Sequence, residues 1–177
     1  MKNIIYIATS IDGYIADRSG GLDWLSMIPN PDKSDFGWST FISNIDAILM
    51  GRKTFETVCN FDCPWPYTIP VYVLSNSLNT LIEEYQEKAQ IIKGSHTEIL
   101  EKIHNDGYKS IYIDGGTTIR SFLEKDLIDE MTIGTIPILL GGGTSLFNKL
   151  SQELKFELIK NEVLLGQMVM NTFRRKR

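Results

Sequence analysis

Cysteine is scarce in this chain and long apolar runs are absent. Cys59 and Cys63 are the only two cysteines among 177 residues. Three residues separate them, no second pair could complete a zinc site, and the spacing is not C-x-x-C. Reduced thiols and no metal are the expectation. Histidine is limited to His96 and His104, which read as surface positions of one helix, far from any motif, with no catalytic role. The apolar opening "MKNIIYIATSIDGYIA" is interrupted by Asp12 and is too short to span a bilayer. It reads as a strand rather than the h-region of a signal peptide. Internal repeats, low-complexity tracts and linkers are missing as well. A net charge of −4 argues against a general nucleic-acid surface, and the one dense basic run, Arg174 to Arg177, reads as a solvated tail. The expectation is one soluble, cytoplasmic domain spanning residues 1–177, with no nucleic-acid or membrane partner.

What is present is an alternation. "NIIYIATS" (Asn3 to Ser10) is a buried-strand candidate running into a turn at Asp12-Gly13. A long loop follows, through "DRSGGLDWL" and "MIPNPDKS", and a loop of that length inside one domain is usually functional or mobile. Ser34 is expected to cap a helix carrying Phe41 and Ile42 inward. Next come the strand "DAILM", the helix "RKTFETV", the strand "PVYVLS" and the strand "AQIIK". "SHTEILEKIHNDG" is a helix with a capping box at Ser95 and Glu98, ending on Gly107. The strand "SIYID" leads into Gly115-Gly116 and the helix "TTIRSFLEK". "EMTIGTIPILL", the turn "GGGT" and a hairpin-like pair complete the chain. This pattern predicts a mainly parallel sheet with helices on both faces and the last two strands antiparallel at one edge. Ligands in such sheets bind at the carboxyl ends of the strands, where strand order switches.

Two strand ends bear glycine at a helix start. Gly51-Arg52-Lys53-Thr54 and Gly115-Gly116-Thr117-Thr118 would each offer free N–H groups and a partial positive charge to an anion. Neither is a familiar nucleotide motif. With Gly51 as the second glycine of a P-loop, Arg52 stands where lysine is required and Asp46 where the first glycine is required. "GGTTIR" and "GGGTSL" do not supply G-x-G-x-x-G. Two anion sites on one rim suit a dinucleotide, and Arg52 could add a planar fork to a 2′-phosphate. Simple β-α turns with exposed cations are the alternative.

In this order and spacing the motifs resemble the dihydrofolate reductase fold. The resemblance rests on Ala8, Ile15, Trp24, Asp35, "MGRKT" (Met50 to Thr54), "LSN" (Leu74 to Asn76) and "DGGTTI" (Asp114 to Ile119). Within that fold, "ATSIDGYIA", "DFGWSTFISNIDAILMGRKTFE" and "TIPILLGGGTSLF" are similar to the riboflavin-biosynthesis reductase domain and its stand-alone relatives. The deaminase domain of the bifunctional enzyme and its zinc signature have no counterpart. The resemblance implies a three-layer fold, NADPH as cofactor and a small-molecule substrate, a pteridine or a ribosylamino-pyrimidine. It also implies a homodimer.

Carried over by position, the resemblance puts Ala8 and Ile15 at the nicotinamide. Gly51, Arg52, Lys53 and Thr54 would hold the pyrophosphate and 2′-phosphate region, Ser75 and Asn76 the adenosine ribose and its phosphate. Gly115, Gly116, Thr117, Thr118 and Ile119 would wrap the pyrophosphate, and Asp17, Gly20 and Gly21 would belong to a closing loop. Asp35 is the candidate catalytic and substrate-binding carboxyl, able to orient a nitrogen heterocycle and help deliver a proton; the alternative is that it only complements a helix dipole. Trp24 and Trp38 are candidates for the substrate cleft. "GGGT" (Gly141 to Thr144) could contribute ligand donors or be a tight turn. Arg18, Lys33 and Arg120 are the cations available to a phosphorylated substrate. A dinucleotide-binding module without turnover, regulatory or vestigial, shares the cofactor motifs but would tolerate loss of Asp35.

Overall fold

Apolar strands and amphipathic helices alternate to build one sheet covered on both faces. The computed structural model describes residues 1–177, and its elements in chain order are β1 (Lys2–Ser10), β2 (Tyr14–Ala16), α1 (Trp38–Ile42), β3 (Ala47–Gly51), α2 (Arg52–Cys59), β4 (Val71–Leu74) and β5 (Ala89–Ile92). They continue with α3 (His96–Asn105), β6 (Ser110–Asp114), α4 (Gly116–Glu124), β7 (Glu130–Ile136), β8 (Thr144–Ser145), β9 (Phe156–Leu164) and β10 (Met168–Arg175). Eight strands form one sheet in the order β5-β4-β3-β6-β1-β7-β10-β9, and β2 pairs with β8 in a separate ribbon. Pairing is parallel from β5 through β7 and antiparallel from β7 to β10 to β9. No helix is long and apolar enough to cross a membrane.

The strand order explains which way each helix goes. Right-handed crossovers put helices that step toward β5 on one face and helices that step back on the other. One core accordingly packs α1 and α2, through Phe41 and Phe55, onto Ile48, Met50 and Tyr112. The other packs α3 and α4, through Ile99, Ile103, Ile119 and Phe122, onto Leu49 and Ile113. β3 is fully enclosed from Ala47 to Met50, as a central parallel strand with both faces covered must be. The order reverses between β3 and β6, so α2 and α4 leave this point on opposite faces and open a crevice.

Four local readings change. Ser34 does not cap α1: Phe36 and Gly37 have φ of 55° and 87°, which delays the helix to Trp38. The Asp35 carboxylate takes the cap, accepting from Gly37 N and Ser39 N at 2.9 Å each. α3 has the capping box at Ser95 but stops at Asn105, with left-handed Gly107 beyond its last turn. Both histidines are half-buried rather than freely exposed: His96 Nε2 lies 3.0 Å from Ser121 Oγ, and His104 Nε2 is buried without a partner. Nor is the basic C-terminus loose. Arg175 forks onto Asp126 at 2.7 and 3.0 Å, and Arg177 donates to Asp129 at 2.6 Å.

Candidate active site

At the crevice between β3 and β6, each strand-end glycine meets a threonine of the opposite helix. A Cβ at Gly51 would lie 2.9 Å from Thr118 Oγ1, and one at Gly115 would collide with Thr54 Oγ1. Gly115 also holds φ at +88°, a conformation open to glycine. The two helix starts can therefore approach only because both positions lack side chains. Neither start is capped by a side chain, so first-turn N–H groups of α2 and α4 face the same opening with their positive dipole ends.

The opening leads into a cavity of about 690 Å³. Gly51, Arg52, Lys53, Thr54, Gly115, Gly116, Thr117 and Thr118 line its helix-start end, and Ala8 and Ile15 flank it from β1 and β2. Ile7, Leu22, Leu25, Val58, Phe61 and Tyr67 complete its walls, and Asp114, beside Gly115, is its one carboxyl. Gly20 and Leu22 come from the loop after β2. Asp17 ties that loop into a turn by accepting from Gly21 N at 2.7 Å and Ser19 N at 2.8 Å.

The "GGGT" turn acts on this loop. Asp12 accepts from Gly141 N at 2.7 Å and Leu140 N at 3.1 Å, and Arg18 Nη2 donates to Gly141 O at 2.6 Å. A Cβ at Gly143 would collide with the Ala16 carbonyl. The glycines thus seat β2 and its loop against β8, which makes the segment a clasp, and Thr144 alone of the four reaches the cavity.

Several expected site residues lie elsewhere. Asp35 is exposed and outside the cavity, and its carboxyl is lowered from the ordinary value by its bonds to Ser39 and Gly37. Ser75 is buried, with Oγ accepting from Leu78 N at 3.1 Å; exposed Asn76 follows it on the same rim, and neither lines the cavity. Ile119 is fully buried in the core beneath α4. Trp24 packs among Ile28, Ile136, Met168 and Met170, while its neighbours Leu22 and Leu25 reach the cavity. Trp38 stands one layer behind, its ring 6.4 Å from cavity-lining Tyr67 and 5.9 Å from Tyr112. Arg120 donates to Ser145 O, and Arg52 donates to Glu56 Oε1 at 2.7 Å.

Asp114 is the group that the sequence reading passed over. It ends β6 on the cavity floor, and one oxygen accepts from Gly115 N at 2.7 Å. Burial pushes its carboxyl up from the ordinary value, and the Gly115 bond only partly opposes this. Burial also raises the phenols of Tyr67 and Tyr112, to which the Asp114 charge adds. A half-buried carboxyl with a displaced pKa in a cleft is the expected form of an acid–base group. The available signal was a carboxylate closing an otherwise apolar strand.

A family model described as the RibD C-terminal domain matches residues 2–170. The uncharacterized protein YwjB of Bacillus subtilis is 32% identical over 95% of this chain and 94% of its own. A provisionally assigned riboflavin biosynthesis protein from Shewanella sp. PV-4 superposes over 100% of both chains with a TM-score of 0.98 and 47% identity. The fold also recurs at 18% identity in two reductases. The Thermotoga maritima deaminase/5-amino-6-(5-phosphoribosylamino)uracil reductase aligns over 99% of this chain and 56% of its own, with a TM-score of 0.76. The Enterococcus faecalis dihydrofolate reductase complexed with NADP(H) aligns over 99% and 97%, with a TM-score of 0.68. The architecture is thus the mostly parallel, dihydrofolate reductase-like one.

Proposed function

The chain belongs to the RibD C-terminal domain family, and on that premise we propose that it is an NADPH-dependent reductase of a nitrogen heterocycle, of pteridine or pyrimidine type. The observation that carries the reading is the meeting of two uncapped helix starts at Gly51 and Gly115, over a cavity that contains one half-buried carboxyl. A dinucleotide fits this cradle. Its pyrophosphate suits N–H groups that glycine leaves accessible, and Arg52 and Lys53 stand beside them for a further phosphate. The NADP(H) complex of a reductase with the same fold supports the cofactor, and the reductase from Thermotoga supports the substrate type.

When bound, NADPH supplies a hydride. The chain's own residues do the rest. Ala8 and Ile15 are apolar walls of the same cavity, Ile15 beside Gly116, against which the cofactor and substrate rings would be oriented. Leu22, Leu25 and Phe61 keep water from the reacting atoms. Asp114, whose carboxyl burial raises above its ordinary value, would hydrogen-bond a ring nitrogen and help deliver the proton that it gains.

NADPH consumption with a panel of dihydropteridines and aminopyrimidines tests this. Asp114→Asn is expected to lower kcat by roughly 10²- to 10⁴-fold while leaving NADPH affinity unchanged. Full turnover in that variant would remove Asp114 from the mechanism. NADPH binding with no turnover on any heterocycle would favour a binding module.

A further inference from the structure

The segment between α2 and β4 belongs to no helix or strand, yet it is closely braced. Three of the chain's six prolines, Pro64, Pro66 and Pro70, fall within "CPWPYTIP", and each fixes its own φ. Trp65 packs its ring against Phe55 and Tyr85, with centroids 6.0 and 5.4 Å apart. Tyr67 sits between Trp65 and Trp38, at 5.3 and 6.4 Å. The half-buried Tyr67 ring is therefore ordered before any ligand arrives, which removes that cost from binding.

Tyr67 is the only phenol lining the cavity, and Asp114 the only carboxyl. Tyr112 and Asp114 are two apart on β6, so both point to the side of the sheet that α1 and α2 cover. Tyr67 packs into the aromatic cluster on that same side. Burial, with the Asp114 charge added, keeps the Tyr67 phenol protonated. The neighbouring hydroxyls have already given their protons: Tyr6 donates to the Phe36 carbonyl, and Tyr112 to the Tyr6 carbonyl at 3.0 Å. Tyr67 Oη has no hydrogen-bond partner in the chain, yet it is not sealed from solvent. Its proton is free for a ligand. Asp114 spends one lone pair on Gly115 N and keeps others.

A phenol that donates and a carboxyl that accepts, on the walls of one cavity, complement an amide-like ring edge in which an N–H stands beside a C=O. We propose, resting on the reductase reading above, that Tyr67 is a further substrate-contacting residue, and that its hydroxyl and Asp114 together select a ring with such an edge. A ring without the edge would leave one of the two groups unpaired, which is where strong discrimination comes from.

The test is calorimetric titration of the protein loaded with NADP⁺, so that no hydride transfers. NADP⁺ is titrated first, and failure at that step defeats the reductase reading itself. The probes are pterin and 6-aminouracil, which carry the edge, and 6-amino-1,3-dimethyluracil, in which both ring N–H groups are lost. The parent is expected to bind 6-aminouracil about tenfold or more tightly than its dimethyl derivative. Tyr67→Phe keeps the ring and its packing on Trp38 and Trp65. It should weaken pterin and 6-aminouracil by roughly 5- to 30-fold, with little change for the dimethyl derivative and none for NADP⁺. Unchanged binding of pterin and 6-aminouracil in Tyr67→Phe, or an equal loss for all three probes, overturns the inference. So does failure of both edge-bearing probes to bind the loaded parent, and each of these results leaves the cofactor assignment standing.

Discussion

Gly115 and Asp114 stand next to each other and answer to different physics. Gly115 is fixed by space and backbone: its φ of +88° and the Thr54 hydroxyl both exclude a side chain. Gly115→Ala is expected to cost about 1–3 kcal/mol from backbone strain alone, more with the clash, read as a lower urea midpoint at unchanged m. Gly107→Ala, with a φ of +98° but open space around it, should carry only the strain. Asp114 is fixed by burial. Its raised pKa means that its contribution to stability is complete below the ordinary carboxylate value of about 3.9 and is lost as pH rises through the folded value. Asp114→Asn should therefore be more stable than the parent at neutral pH, with the gap closing in acid; a constant gap in urea titrations across pH would contradict burial as the cause. The glycine pairs were readable in the sequence as anion-binding helix starts. The reason Gly115 must be glycine was not, because Thr54 reaches it only once β3 and β6 lie side by side.

Among the elements, α1 and the loop after β2 show how local chemistry redirects a site. Asp35 looked like a substrate carboxylate because a carboxyl at a helix start can orient a nitrogen heterocycle, yet left-handed Phe36 and Gly37 turn it onto Gly37 N and Ser39 N as a cap. Positive φ at a phenylalanine has no sequence signature, so the helix start was misplaced while the Ser95 capping box, a purely local pattern, was legible. The Asp35 carboxyl is depressed, so its stabilisation is present above the ordinary carboxylate value and is lost as pH falls through the folded one. Asp35→Ala is expected to lower the urea midpoint at neutral pH, to lose that deficit in acid and to keep NADPH affinity. Loss of turnover at unchanged NADPH affinity in a folded variant would return Asp35 to the site. The clasp between Asp12 and Leu140-Gly141 joins segments 128 and 129 residues apart, beyond anything that periodicity can reveal.

Across the molecule, the strand order makes the site and the last strand closes the sheet. The strand–helix alternation predicted the parallel sheet and its antiparallel edge, but not that β6 inserts between β1 and β3, which is what brings Gly51 and Gly115 together. β10 is secured at its end by the Arg175–Asp126 fork, with the Arg175 side chain 9% exposed. Arg175→Met should cost roughly 1.5–3 kcal/mol, and the deficit should shrink in acid as the Asp126 carboxylate, lowered chiefly by its bond to Arg175, is protonated. The central claim is that the crevice between α2 and α4 holds a reduced dinucleotide. Titration of NADPH and NADH, followed by nicotinamide fluorescence, addresses it in the parent and in Gly115→Ala. Saturable binding with NADPH preferred, weakened at least about tenfold in the variant, is the predicted result. Absence of binding, or identical affinity in a folded Gly115→Ala protein, would mean that the two helix starts meet for packing and that the site is not there.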